Sequence, residues 1–203
     1  MERGSFAARH DFDALPLSPD VDVRCAQFSE ISTLSEMAHR LVPGVRIGGA
    51  ELARYLAFDP ESILSFSRKG RLLGGMAFLF LNERGHDALL LDEICLTAPE
   101  TRYLASAKDD VAAVYIWAIA ATGRGIAGLG KAAAHLRQLR FRGADCYAQP
   151  STVAGRDIMR ATGFAPVPSF QPDLWCYERP WHRQPVRMPG AIIHARSFAD
   201  ARY

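Results

Sequence analysis

The segment GRGIAGLGKAAA, residues 123–134, follows the apolar run AAVYIWAIAAT. Its glycines and lysine are residue types that bind phosphate. Glycine lets a backbone approach an anion closely, and a strand–loop–helix junction presents unpaired amides to it. Three patterns overlap here. Gly123, Gly125 and Gly128 spell GxGxxG; Gly125, Gly130 and Lys131 spell GxxxxGK; Gly128 and Gly130 spell a shorter GxG. The second pattern needs Ser or Thr after its lysine to hold magnesium, and Ala132 stands there. The first needs an acidic residue closing the next strand, roughly 20 residues on. Asp145 has that separation but begins its predicted strand. A fourth reading is a turn that only lets helix and sheet pack closely.

Other side chains with chemical potential lie outside the loop. Asp92 and Glu93 stand among apolar residues in ALLLDEICLT. Burial there would raise a carboxyl pKa toward neutrality and make a general base; the alternative is a solvent-facing position. Tyr147 alternates with Cys146 on a predicted strand and is a candidate proton donor, or core. Ser151 and Thr152 read as helix caps, and Trp117 and Trp175 as core. Cys146 has no histidine placed near it and makes a poor nucleophile. The four cysteines are scattered without CxxC, which suits a reducing cytoplasm, and the six histidines are equally dispersed, so no metal is expected.

The chain that must position these groups has 203 residues, enough for one domain with a core. Its net charge of +2 gives no electrostatic case for nucleic acid. Its longest apolar runs are too short to cross a bilayer, and the first twenty residues lack an apolar signal core. VDVRCA reads as a first strand, SEISTLSEMAHRL as a helix behind a Ser29 cap, and AELARYLAF as a second short helix. SILSFSRKGRLLGGMAFLFLNERG reads as a hairpin turning at Lys69–Gly70, with Gly74–Gly75 bulging its second strand. In HDALLLDEICLTAPETRYLASAKDD the first half, HDALLLDEICLT, reads as a strand and the second half as a loop. AAVYIWAIAAT reads as a central strand by its Val, Tyr, Ile and Trp content, with a buried helix as the rival. A helix follows the glycines, with Leu129, Ala132, Leu136 and Leu139 on one face and Gly143 as its stop. ADCYAQ is a strand, TVAGRDIMRATG a helix, and FAPVP and DLWCYER closing strands.

In this order the segments resemble the GCN5-related N-acetyltransferase (GNAT) superfamily over roughly residues 21–178. VYIWAIAATGRGIAGLGKAAAHLRQLRFRGADCYAQ is similar to that family's fourth strand, pyrophosphate loop, third helix and fifth strand. TVAGRDIMRATGF is similar to its last helix, which usually ends in Gly-Phe, here Gly163–Phe164. The resemblance implies an α/β fold with a mixed, mostly antiparallel sheet and helices on both faces. Outside the resemblance, the polar, proline-dotted residues 1–20 read as a loose arm and the arginine-rich residues 179–203 as a basic tail. The resemblance further implies acetyl-CoA or another acyl-CoA as cosubstrate. A backbone amide around Ile119, Ala120 and Ala121 would polarise the thioester carbonyl. The pyrophosphate would lie at Gly125, Ile126, Ala127, Gly128, Leu129, Gly130 and Lys131. The residues themselves offer Glu93 as base and Tyr147 as proton donor for direct attack by a small-molecule or peptide amine; the cysteines suit a cytoplasmic protein, and the tail is compatible with a homodimer. A non-catalytic acyl-CoA sensor and a nucleotide-binding protein are the alternatives. The family's loop usually opens on Gln or Arg; here Gly125 holds that slot and Arg124 sits one residue early. The family's frequent Asn and Tyr of the last helix are Thr152 and Met159, and Met159 cannot donate a proton.

Overall fold

The computed structural model describes residues 11–44 and 48–179. Seven strands form one sheet: β1 (Asp22–Cys25), β2 (Ile63–Arg68), β3 (Arg71–Leu81), β4 (Ala113–Ala121), β5 (Asp145–Ala148), β6 (Ala165–Pro166) and β7 (Trp175–Tyr177). Their spatial order is β1-β2-β3-β4-β5-β7-β6. All neighbours are antiparallel except β4 and β5. The α-helices among the described residues are α1 (Ile31–Leu41), α2 (Gly49–Phe58), α3 (Glu83–Leu90), α4 (Leu129–His135) and α5 (Val153–Ala161). One face of the sheet packs against α4 and α5 around Phe66, Phe78, Phe80, Leu136 and Phe141. The other face carries α1, α2 and α3 around Leu34, Leu56, Leu79, Leu89 and Tyr115. The mixed, mostly antiparallel sheet with helices on both faces is the architecture the sequence predicts.

Local chemistry explains most boundaries. The β2–β3 hairpin turns at Lys69 (φ 50°) and Gly70 (φ 77°), two consecutive left-handed residues as a two-residue primed turn requires. Leu73 is the extra residue of a bulge beside Gly74, since Phe66 pairs with Gly74 but Ser67 pairs with Leu72. Gly74 and Gly75 are needed there: a Cβ on the first would strike the Ala120 carbonyl, and on the second would lie 2.6 Å from the Leu64 oxygen. In the turn Phe28–Glu30 that leads into α1, the predicted Ser29 cap gives way to a capping box between Gln27 and Glu30. Thr152 caps α5 by accepting the Gly155 amide at 2.9 Å. At its end Phe164 N donates to Met159 O at 2.9 Å across Gly163, whose φ is 91°. This is a Schellman stop, and it gives the Gly-Phe pair a purely structural use.

Three expectations are corrected. The predicted strand HDALLLDEICLT instead opens on the end of α3, a helix that Asn82 caps by accepting the Gly85 amide at 2.9 Å. The helix after the glycines ends at His135, and Leu139 is exposed. Residues 11–17 are not a loose arm. Phe12 is buried in an edge-on contact with Phe164 and a tilted contact with Tyr177, and its amide donates to Thr162 O at 2.9 Å. Residues 1–10 and 180–203 lie outside the described residues.

Two guanidinium groups, one buried and one partly buried, tie the layers. Arg179, 1% exposed, donates to Leu136 O at 2.9 Å, to Ala144 O at 3.0 Å and to the Asp13 carboxylate. It therefore belongs to the domain rather than to a tail. Arg140 donates to Asp59 at 2.5 Å, Glu61 at 2.9 Å and Ser106 O at 2.9 Å, and lies over the rings of Phe80 and Phe141. Removing one partner of a buried ion pair leaves an uncompensated charge. Asp13→Ala is therefore expected to lower unfolding free energy by about 3–5 kcal/mol, read from urea denaturation. A loss within ordinary surface scatter, about 0.5 kcal/mol, would show that the Asp13–Arg179 contact does not hold the N-terminal segment.

Candidate functional site

The site arises where two parallel strands part. The β4–β5 register runs from Ala113–Asp145 to Ile116–Ala148 and stops. Gln149 and Pro150 follow β5, and proline has no N–H to continue a ladder. β4 runs on to Ala121 paired only with β3. From Trp117 onward, its peptide groups on the β5 side face a gap rather than a strand.

A bulge adds to this. Ala77 pairs with Ala118 but Phe78 pairs with Ile116, so Trp117 is the extra residue. Alternation breaks as a result. Tyr115, Trp117 and Ala118 all pack on the α1–α3 side, whereas Ile116, Ile119 and Ala121 pack on the α4–α5 side. Trp117 packs against the core of the α1–α3 face, as predicted, but at its margin. It is only partly buried, stands edge-on to Tyr55 at 5.1 Å and borders the gap. Trp175 is core, 3% exposed.

The gap opens into a cleft of about 750 Å³, within the range of small-molecule sites. On the α4–α5 side it is walled by Phe12, Leu15, Ile126, Leu129, Ile158 and Met159. On the α1–α3 side it is walled by Leu41, Val42, Leu96, Thr97 and Trp117. The cleft thus passes through the sheet. Its described lining carries two ionisable side chains, Tyr115 and Asp173. Asp173 is neutralised by Arg156 at 2.6 and 2.7 Å and also accepts the Trp175 indole N–H at 3.1 Å. The hydrogen bond from Arg156 holds its carboxyl below the usual range. Tyr115 donates to Gln149 Oε1 at 2.8 Å, and burial pushes its phenol up, so it stays neutral.

The predicted site residues divide. Ile119, Ala121, Ile126 and Leu129 line the cleft. Ala120 faces the other way, against Met37 and Ala38. Ala127 packs beside the α4–α5 core, and Lys131 is half-buried outside the lining. The remaining loop glycines are packing positions. A Cβ on Gly128 would lie 2.8 Å from the Phe66 ring, on Gly125 3.0 Å from Leu73, and on Gly130 against the Pro16 carbonyl. Only Gly123 in this loop has open space at its Cβ position, with φ 53°. The missing side chain at Gly128 makes room for Phe66.

Glu93 and Tyr147 are not brought to the cleft. Glu93 is exposed just past α3, where its amide donates to Ala88 O at 2.8 Å across left-handed Asp92. That is a helix stop, not a buried strand carboxylate. Tyr147 is the cross-strand partner of Tyr115, but its hydroxyl bonds His86 Nε2 at 2.8 Å in the core beneath α3. Burial lowers the His86 pKa and raises that of Tyr147. Cys146 is fully buried and its thiol is pushed up to about 12 by desolvation, so it is inert. Sequence reasoning missed Tyr115 and Gln149. The available signal was Gln-Pro after a strand, which marks where pairing must end.

No family model and no curated protein matches the chain. Solved structures similar to it include the following three. The loading GNATL domain of CurA from Lyngbya majuscula is 13% identical with a TM-score of 0.49. The GphF GNAT-like decarboxylase in complex with isobutyryl-CoA is 17% identical with a TM-score of 0.43. The chain spans 64% of the length of each, and these matches cover 64% and 63% of this chain. A GNAT family acetyltransferase from Brucella melitensis in complex with acetyl-CoA is 17% identical with a TM-score of 0.45, covering 78% of this chain and 87% of that one.

The glycine assignment has a direct check. Gly128→Ala is expected to lower stability by about 1–3 kcal/mol, the range for overpacking a core, with no ligand present. Gly143→Ala, with nothing within 4 Å of its Cβ position, should stay within about 0.5 kcal/mol. Equal melting temperatures for the two variants would contradict a packing role for Gly128.

Proposed function

We propose that the chain is a divergent GNAT-type N-acyltransferase that takes an acyl-CoA and passes its acyl group directly to an amine. The observation that carries this reading is the cleft through the sheet at the parting of β4 and β5. A passage open to both faces lets two reactants enter from opposite sides and meet beside a free strand edge. An extended amide-bearing arm such as pantetheine can pair with that edge as an added strand would. The order of strand β4, glycine turn, α4, β5 and α5 also agrees with the family resemblance.

The chemistry asked of the protein is modest. The amine lone pair attacks the thioester carbonyl; a C–N bond forms as the C–S bond breaks. Sulfur leaves with its electron pair as CoA thiolate, and the surplus nitrogen proton ends on that thiolate or on water. Backbone N–H groups on the free edge between Trp117 and Ala121 are the donors available to a developing oxyanion. The phosphates would lie near the start of the glycine turn, where Gly123 is open and Arg124 is exposed. No unpaired carboxylate or imidazole lines the described cleft, so the amine must arrive neutral.

A second reading, an acyl-CoA-binding protein without turnover, draws support from the same lining. Met159 supplies no proton, and the phenol of Tyr115 already donates to Gln149.

Two measurements decide. Acetyl-CoA is expected to raise the melting temperature by mass action, while ATP and NADH do not. A response to ATP alone would overturn the assignment, and a response to acetyl-CoA without thioester loss would favour the second reading. Where turnover occurs, log kcat/KM should rise with unit slope and level only at the pKa of the amine itself. An additional limb below that pKa, belonging to the protein, would contradict direct attack by a neutral amine without an enzymic base.

A further inference from the structure

We propose, resting on that reading, that the α1–α3 mouth of the cleft takes a single amine on an apolar body and that the Tyr115 oxygen receives its N–H. The mouth is built from Leu41, Val42, Leu96, Thr97 and Trp117, with Tyr115 at its floor. Side chains of this kind recognise an acceptor by apolar contact area. A polycation such as a polyamine needs a carboxylate for each remote ammonium, because an unpaired charge in a desolvated site is costly. The one carboxylate in the described lining, Asp173, is held by both nitrogens of the Arg156 fork.

The polarity of Tyr115 is fixed by its partners. Pro172 O can only accept, so Gln149 presents Nε2 to it, at 2.6 Å. That orientation turns Gln149 Oε1 to Tyr115 and takes the one proton of the phenol, at 2.8 Å. The Tyr115 oxygen therefore keeps only lone pairs for the cleft. It accepts from an N–H donor and does not act as an acid. Accepting one N–H of a neutral amine fixes the nitrogen while leaving its own lone pair to aim at the thioester carbon. Tyr115 is thus an amine-binding residue, and Gln149 is the positioning residue that sets its polarity.

The test titrates phenethylamine and spermidine by calorimetry into the protein saturated with CoA, a complex that cannot turn over. A thermal shift with CoA is recorded first. Absence of that shift sinks the acyl-CoA reading, and this inference with it. With the shift present, phenethylamine is expected to bind at least about tenfold more tightly than spermidine, a 1.4 kcal/mol difference. Tyr115→Phe should weaken phenethylamine about tenfold, one hydrogen bond's worth, and leave the CoA shift unchanged. Thr97→Asp, at an exposed loop position, should raise spermidine affinity selectively by adding the missing carboxylate. Spermidine binding as tightly as phenethylamine, no binding of phenethylamine, or a Thr97→Asp protein with unaltered preference would each overturn the proposal while leaving the acyl-CoA reading intact.

Discussion

Pairing between β4 and β5 lasts four residues, and what the cleft can do depends on that limit. β4 is a nine-residue strand flanked on one side by the eleven residues of β3 and on the other by the four of β5. Beyond Ile116 one edge of a central strand is left open inside the fold. Unpaired backbone groups of that kind are costly where water is excluded. The cleft relieves the cost by giving the edge solvent or an extended ligand. The bulge at Trp117 lies at the point of parting and puts two successive side chains, Trp117 and Ala118, on the same face. A wall that would otherwise alternate is thereby made continuous.

Arg140 and Arg179 anchor the elements around this opening. α4 descends from β4, and its C-terminal extension is locked by Arg140 to Asp59, Glu61 and the Ser106 carbonyl. Arg179 binds the carbonyls at Leu136 and Ala144 and the Asp13 carboxylate, so one buried group joins the end of β7, the start of β5 and the N-terminal segment. That segment in turn places Phe12 and Leu15 in the α4–α5 wall. The two clusters are satisfied by different means. Arg140 is flanked by aromatic faces and two carboxylates, whereas Arg179 relies chiefly on carbonyls that α4 and the loop before β5 leave unpaired. In both cases a planar fork with fixed donor directions does what a lysine could not.

Much of the framework was legible because it is written in local pattern. The Lys69–Gly70 turn, the β-branched and aromatic run of β4 and the Thr152 cap each depend on residues within a few positions of one another. α3 was misread because ALLL has no period, and Asn82, which starts the helix, lies outside the apolar run. The functional loop was legible as a motif but not as geometry. Whether Gly128 opens toward a phosphate or toward Phe66 depends on a strand some sixty residues earlier, and no spacing rule within the loop carries that information. Phe12 seated on Phe164 and Tyr177 is likewise a contact between distant ends. Glu93 drew attention as a carboxylate among apolar residues, yet its backbone, not its side chain, has the structural role. Tyr147 and Tyr115 face each other across β5 and β4, and only the neighbours of each hydroxyl separate the core phenol from the one in the cleft.

We propose that acyl-CoA binds along the unpaired edge of β4. Amide hydrogen exchange with and without acetyl-CoA measures this most directly, since exchange slows where an amide gains a partner or loses access to water. The account predicts slower exchange in peptides spanning 117–126 and 149–159, with the β2–β3 hairpin turn unchanged. Protection confined to other segments, with 117–121 exchanging at its free rate while acetyl-CoA is bound, would contradict it.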